Sequence, residues 1–125
     1  VHGWMAAMLP IYMKHFYKNE ALFSDTKIVT SVYGQSFDGS LDVEMINKIK
    51  FDGVPNDSIL DLETPNYENI MKATINHSDA VIIASENLTS SLTKFIESSG
   101  KPFLPFASKD NFAESYSNFY KNFVL

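Results

Sequence analysis

A histidine and a glycine stand at the start of the chain, directly before a run of helix-forming residues. His2 and Gly3 precede Trp4 in the stretch VHGWMAAMLP. An imidazole can hydrogen-bond a substrate or exchange a proton near neutral pH, and a glycine lets a substrate approach the backbone closely. The N–H groups that open a helix favour an anion or a sugar hydroxyl. His2 and Gly3 are therefore a candidate site, and the alternative, a histidine that only caps a turn, stays open.

Further candidate residues follow the two most strand-like stretches, KIVTSVYG and AVIIASE. The carboxyl ends of parallel strands meet at one edge of a sheet, where such folds bind ligands. Ser85 ends the apolar part of the second stretch, and a serine there could act as a nucleophile with His2 as its base. No Gly-x-Ser-x-Gly pattern surrounds it, so we do not expect a hydrolase. The candidate substrate-binding residues at this edge are Gly3, Tyr33, Gly34, Gln35 and Ser85.

Other residues capable of chemistry have ordinary structural explanations. His15 and His77 fall on predicted helices without a second ligand three or four residues away, so we expect neither a metal site nor a cofactor. Asp38, Asp42 and Glu44 could pair as an acid and a base, but acidic residues spaced like this after a strand are typical of turns and helix N-termini.

Composition excludes several classes of function. The chain has 125 residues, 45% of them hydrophobic, which suffices for one core and predicts a single domain. No apolar run approaches the roughly 18 residues that a membrane span needs. The net charge is −5, with ten lysines and no arginine, so we expect no nucleic-acid partner. The absence of cysteine excludes disulfides and thiolate sites and is compatible with the cytoplasm, where we expect the protein.

Hydrophobic patterns predict helices that alternate with short strands. A parallel sheet with helices on both faces is the arrangement that such an order favours, so the predicted fold class is α/β, Rossmann-like. The predicted helices cover 4–18, 41–53, 67–78, a stretch from Asn87 as N-cap to Gly100, and 110–124. The predicted strands cover 27–34, 80–86 and KPFLPF. Residues 54–66 are predicted to form a connection.

For two of these helices the sequence also predicts how they are buried. Residues 4–18 are apolar on most sides, which predicts a largely buried helix that Pro10 either bends or starts, lying near its first turns. The last helix carries a stripe of aromatic residues that we expect to seal the core and not to stack on a sugar. The stripe consists of Phe112, Tyr116, Phe119, Tyr120 and Phe123.

The sequence resembles the bacterial glycogen synthase and plant starch synthase family in four stretches that occur in the same order. HGWMAAMLPIYMK resembles the family stretch that reads His-Asp-Trp-His before a helix. KIVTSVYGQSFDG resembles a strand and loop with a His-Asn pair before an aromatic residue and a glycine. IMKATINHSDAVIIAS resembles the segment that begins Phe-Leu-Lys and ends Val-Ser, with Lys72 at the family lysine, and the following helix also corresponds.

The resemblance implies roles for the residues that match the family, whereas other family residues are replaced in this sequence. The first family histidine lies beside the donor glucose and the scissile bond, and it matches His2, which is therefore the candidate catalytic residue. Trp4 matches the family tryptophan and is expected to pack, whereas Met5 replaces the second histidine. Tyr33 and Gly34 replace the His-Asn pair, which removes polar groups expected to hold sugar hydroxyls.

The resemblance also implies parts that this sequence does not contain. A Lys-Thr-Gly-Gly-Leu loop that meets the donor phosphates is expected upstream of Val1, and a second Rossmann domain downstream. We therefore expect an N-terminally truncated part of the first domain of a two-Rossmann (GT-B) glycosyltransferase, in a short single-domain bacterial form.

Three functions stay open on this basis. The first is a retaining hexosyltransferase that adds glucose from ADP-glucose to an α-1,4-glucan. The second is a non-catalytic module that binds glucan or sugar nucleotide, or docks on a partner subunit or a second copy of the chain. The third is a generic flavodoxin-like module. The expected partners are α-glucan and ADP-glucose, without nucleic acid or membrane.

Overall fold

A computed structural model describes residues 1–123 as alternating helices and strands. The elements are a 3₁₀ turn Trp4–Ala6, α1 Met8–Lys14, β1 Val29–Val32, α2 Glu44–Phe51, a 3₁₀ segment Asn56–Glu63, α3 Tyr67–Asn76, β2 Ala80–Ile83, α4 Ser90–Ser98, β3 Phe103–Leu104 and α5 Phe112–Phe123. The predicted order of helices and strands is confirmed. Residue 124, the end of the last predicted helix, lies outside the described residues.

The three strands form one parallel sheet in the order β1-β2-β3. Val29 pairs with Ala80 and Val32 with Ile83, so β1 and β2 end at the same edge. The first residues of the chain extend the sheet, because the Ser31 N–H donates to the Val1 carbonyl at 2.8 Å and the Gly3 N–H donates to the Ser31 carbonyl at 3.0 Å. The segment before the first helix therefore runs parallel to β1.

Helices cover both faces of the sheet, which confirms the α/β fold class. Side chains alternate along β2, so Val81 and Ile83 point to one face and Ala80 and Ile82 to the other. On the first face they pack against α3 and α4 through Met71, Ile75, Leu92 and Ile96. On the second face Phe119 of α5 packs against Ala80 and Ile82. All of β2 is buried, which explains its uninterrupted apolar sequence.

The first helix is less buried than predicted. A core cluster beside the sheet includes Ala7 and Ile11, together with residues of α2, the 3₁₀ segment and α3. Met5 is 86% exposed and Leu9 51% exposed, and α1 ends at Lys14 instead of reaching residue 18. The prediction of a helix buried on most sides was wrong because only the stripe that faces this cluster is covered. Pro10 lies in the first turn of α1, which is the second of the two alternatives given for it.

The aromatic stripe of α5 is also buried only in part. Phe119 is buried and Tyr116 and Tyr120 are half-buried, whereas Phe112 is 51% and Phe123 59% exposed. Phe112 and Phe123 stand at the two ends of the helix. A sheet of short strands offers too little apolar surface to cover the whole length of α5, so the prediction that all five aromatic residues seal the core was wrong.

Two local predictions also need correction. Helix α4 begins at Ser90 and is capped by Thr89, whose Oγ1 accepts the Leu92 N–H at 3.4 Å, so Asn87 is not its N-cap. Gly100 follows the end of this helix with a φ of +71°, as the predicted stop requires. The predicted connection 54–66 contains the 3₁₀ segment, which buries Ile59 and Leu62. Within residues 1–123, none of the helices combines the length and apolarity needed to cross a membrane.

Candidate functional site

A cleft of about 260 Å³ lies at the carboxyl edge of the sheet, where the first segment of the chain turns into the helical region. Its lining consists of His2, Gly3, Trp4, Met5, Tyr33 and Gln35. Four of the six sequence-predicted site residues, His2, Gly3, Tyr33 and Gln35, therefore meet in one place. They meet because the chain leaves the sheet at this edge both after Gly3 and after Val32.

Gly3 makes the turn that presents His2 at this edge. Its backbone has a φ of +66°, a left-handed value that other residues rarely adopt. A Cβ built on Gly3 would come no closer than 3.8 Å to Tyr33, which is ordinary contact. The turn thus requires glycine for its backbone conformation and not for lack of space.

The imidazole of His2 is exposed, and a hydrogen bond to Tyr33 orients it. Nδ1 of His2 lies 3.0 Å from the Tyr33 hydroxyl oxygen, and the tautomer decides which group donates. The backbone carbonyl of Tyr33 accepts a hydrogen bond from the Tyr67 hydroxyl at 2.5 Å. Tyr67 is buried on α3, and burial raises the pKa of its phenol, which stays a donor at neutral pH. His2 is thus connected through Tyr33 to a rigid core residue.

The remaining wall of the cleft is apolar and aromatic. Trp4 packs against Phe37, with ring centroids 4.6 Å apart, and it also lines the cleft. Phe37 in turn packs perpendicular to Tyr67, with ring centroids 6.3 Å apart. Met5 is 86% exposed and also lines the cleft. None of the six lining residues is a lysine or a carboxylate.

Gly34 lies at the same edge, but it makes space for a neighbouring side chain and does not line the cleft of His2. A Cβ on Gly34 would lie 2.3 Å from Oδ1 of Asn87, so a glycine here leaves room for the Asn87 amide. Sequence reasoning assigned Asn87 to a helix cap and missed this contact. The one sequence signal for this location was that Asn87 follows Ser85 by two residues, in the loop after β2 at the carboxyl edge.

Ser85 lies on the same edge but not in the cleft of His2. It lines a separate cleft of about 330 Å³ together with Glu86, Phe103 and Phe106, among other residues. The structure therefore brings together the candidates from the first segment and β1 and separates them from the candidate after β2.

The acidic residues considered above have local roles. The Glu44 N–H donates to the Asp42 carboxylate at 2.9 Å at the start of α2, and Asn47 donates to Glu44 at 3.0 Å. This is the helix-terminal role that their spacing predicted. Asp38, Asp42 and Glu44 line none of the three clefts at the two sheet edges.

A larger cleft of about 470 Å³ lies at the opposite, amino edge of the sheet. Nε2 of His15 and Nε2 of His77 approach within 3.1 Å there, although no sequence spacing connected them. Nζ of Lys14 lies 2.8 Å from Asp79, and Asp79 also accepts the Ile28 N–H at 2.7 Å. Within residues 1–123 no group of three or more His, Cys, Asp or Glu is arranged to hold a metal ion.

Comparison with known proteins relates most of the chain to one family. A family model described as "Starch synthase catalytic domain" matches residues 1–100. Three similar proteins are each named glycogen synthase: that of Clostridium perfringens is 27% identical over 68% of this chain, that of Desulfitobacterium hafniense 29% over 67%, and that of Thermosipho africanus 26% over 65%. This chain spans only 16–18% of their lengths. No solved structure matches.

Proposed function

The chain belongs to the starch synthase catalytic domain family, and from this membership we propose that it is part of a retaining glucosyltransferase. The proposed reaction transfers glucose from ADP-glucose to the non-reducing end of an α-1,4-glucan. The observation that carries the proposal is the cleft in which His2, turned outward by Gly3, stands beside Tyr33 at the carboxyl edge. We further propose that residues 1–125 fold as one domain and that the protein works in the cytoplasm.

His2 is the proposed contact with the transferred glucose. Because Nδ1 pairs with the Tyr33 hydroxyl, Nε2 is the ring atom left for a sugar hydroxyl, and it can donate or accept according to the tautomer. The aromatic rings of Trp4 and Tyr33 and the amide of Gln35 line the space that a hexose would enter. Gly3, Tyr33 and Gln35 are therefore the proposed binding residues of this cleft, with Gly34 shaping the loop beside them.

The same cleft lacks the groups that glucosyl transfer needs at the leaving group. A departing diphosphate must be neutralised, and water must be kept from competing with the acceptor. None of the six lining residues is a lysine, and the sequence has no arginine. We therefore propose that residues 1–125 alone bind a saccharide and transfer no glucose.

A second candidate function has a specific observation in its favour. Met5, 86% exposed, stands where the family has a polar histidine, and Tyr33 and Gly34 stand where it has His-Asn. These replacements favour a module that binds glucan or sugar nucleotide, or docks on another subunit, without catalysis. Ser85 is a weaker binding candidate in either case, because it lines the neighbouring cleft.

Saccharide binding and glucose transfer are tested separately. Backbone amide NMR spectra of the chain should shift around residues 2–6 and 33–39 when maltooligosaccharide or ADP-glucose is added. His2→Ala should abolish these shifts, whereas Ser85→Ala, in the neighbouring cleft, should preserve them. Shifts confined to residues 110–123 would place the saccharide elsewhere and overturn the role of His2.

Transfer is measured with labelled ADP-glucose and glycogen. We expect no incorporation by residues 1–125, and incorporation would contradict the argument from the missing cations. Glucan binding without transfer in a longer natural chain would favour the second candidate function over the first.

A further inference from the structure

The amino edge of the sheet holds two histidines that do not belong to the proposed saccharide site. His15 follows the last turn of α1, and His77 follows the last turn of α3. Packing of α1 against α3 brings their Nε2 atoms within 3.1 Å of each other, with ring planes 67° apart. The rings are half-buried and line the cleft of about 470 Å³.

The second nitrogen of His77 is already engaged. Nδ1 lies 2.7 Å from the Ala73 carbonyl oxygen, which can only accept, so Nδ1 carries the proton. In the neutral ring Nε2 of His77 then has a free lone pair directed at His15. A backbone carbonyl that fixes the tautomer in this way is the usual outer partner of a metal-bound histidine.

The separation of the two Nε2 atoms suits a shared metal ion. Zn²⁺ binds imidazole nitrogen at about 2.0–2.1 Å, so two ligands of one tetrahedral ion lie somewhat more than 3 Å apart. The observed 3.1 Å is close to this separation, and rotation of the His15 ring about its soft terminal torsion would bring the two lone pairs toward a common point while His77 keeps its hydrogen bond to Ala73. Imidazole nitrogen is a preferred ligand of zinc, nickel and copper ions.

The two lysines that line this cleft have partners of their own. Lys14 is paired with Asp79, and Nζ of Lys101 donates to the carbonyls of Asn76 and Ser78 at 3.0 and 2.6 Å. Asp57 and Ser58 also line the cleft. We propose that His15 and His77 form a two-ligand site for a divalent transition-metal ion of the zinc type, with water completing its coordination.

Binding is tested with Zn²⁺ on the whole chain, after treatment with a chelator that is then removed. The side-chain NMR signals of His15 and His77 should change together and saturate at one ion per chain, while those of His2 should not change. Co²⁺ provides a second readout, because its visible absorption reports imidazole coordination. Unchanged His15 and His77 signals at excess Zn²⁺ would overturn the proposal, and the pair would then be a hydrogen bond only.

The variants separate metal coordination from folding. His15→Gln keeps a polar side chain beside His77 but removes one imidazole, and it should abolish saturable binding while leaving the circular dichroism spectrum unchanged. His77→Gln should do the same, and His2→Gln is the matched control that retains binding. Equal Zn²⁺ affinity of His15→Gln and the unchanged chain would show that the ion binds elsewhere. Failure of saccharide binding at His2 would not affect any of these outcomes.

Discussion

The two edges of the same sheet are built on different principles. At the carboxyl edge, the local turn at Gly3 and the backbone pairing of His2 with Ser31 of β1 position His2, and the hydroxyl of Tyr33, one residue beyond β1, orients its ring. At the amino edge, His15 and His77 meet only because α1 packs against α3, 62 residues apart in sequence. The cleft of His2 at the carboxyl edge is lined by no lysine or carboxylate, whereas lysines and aspartates line the cleft at the amino edge.

This difference indicates what holds each edge together. At the amino edge, ion pairs and hydrogen bonds tie the beginnings of β1 and β2 together through Asp79, which bonds Lys14 and the Ile28 N–H. At the carboxyl edge the strand ends are left open for a ligand. We therefore expect substitutions at the amino edge to affect stability and substitutions at the carboxyl edge to affect binding.

The largest effect should come from removing α5, which covers one face of the sheet. A chain that ends at Ala107 loses α5 and uncovers Ala80 and Ile82. Loss of a buried aromatic side chain such as Phe119 costs about 3–5 kcal/mol, against a total stability of about 5–15 kcal/mol. Circular dichroism should show an unfolded or strongly destabilised chain. An unchanged melting temperature would mean that α5 does not belong to this core.

Asp79→Ala should give the next largest effect and is expected to act at the amino edge. It removes the partner of Lys14 and of the Ile28 N–H. In this ion pair the side chain of Lys14 is 36% exposed and that of Asp79 is 31% exposed. Partial solvent screening limits the loss to about 1–3 kcal/mol, measured by urea unfolding. Asp79→Asn keeps an acceptor for Ile28 and should lose less. Equal losses for both variants would assign the whole effect to charge.

The histidine pair should make the amino edge sensitive to acid. Burial lowers the pKa of both His15 and His77 in the folded chain below the ordinary histidine value of 6.5. As the pH falls through this range, the unfolded chain therefore binds more protons than the folded chain. Stability is therefore present above that pH and is lost as the pH falls. The charged groups that act on the pair, or line its cleft, are Lys14, Lys18, Asp57, Asp61, Asp79 and Lys101.

Urea unfolding of the metal-free chain between pH 7 and pH 5 measures this effect. His77→Gln cannot take up the proton and should flatten the dependence on pH. The same slope in His77→Gln and the unchanged chain would show that other groups cause the acid sensitivity.

Gly34→Ala should have the smallest effect on stability and tests the open carboxyl edge. Its Cβ would approach the Asn87 amide to 2.3 Å, but Asn87 is an exposed side chain that can rotate away. We expect a loss below about 1 kcal/mol, together with changed NMR signals of Asn87. Asn87→Ala should restore the lost stability in the double variant. A large loss that persists in the double variant would indicate backbone strain instead of crowding.

Much of the fold could be predicted from local sequence. The apolar run at Ala80–Ile83 and the β-branched run at Val29–Val32 predicted two strands, and the helical stretch between them predicted a parallel pair. Gly3 and Gly100 marked turns that require positive φ. Helix bounds were less accurate, because the cap of α4 is Thr89 and only the hydrogen bond to Leu92 distinguishes it from Asn87.

The sequence by itself determined where the chain turns, which segments are strands, and that His2, Tyr33 and Gln35 lie at one edge, because these follow from nearest-neighbour conformational preferences and strand direction. Only the tertiary structure decided that Ser85 lies in another cleft, that Phe112 and Phe123 stay exposed, and that His15 meets His77. These outcomes depend on how far each helix extends past the sheet and at which point two helices contact. Such distances arise from the packing of the whole core, and no local pattern of residues specifies them.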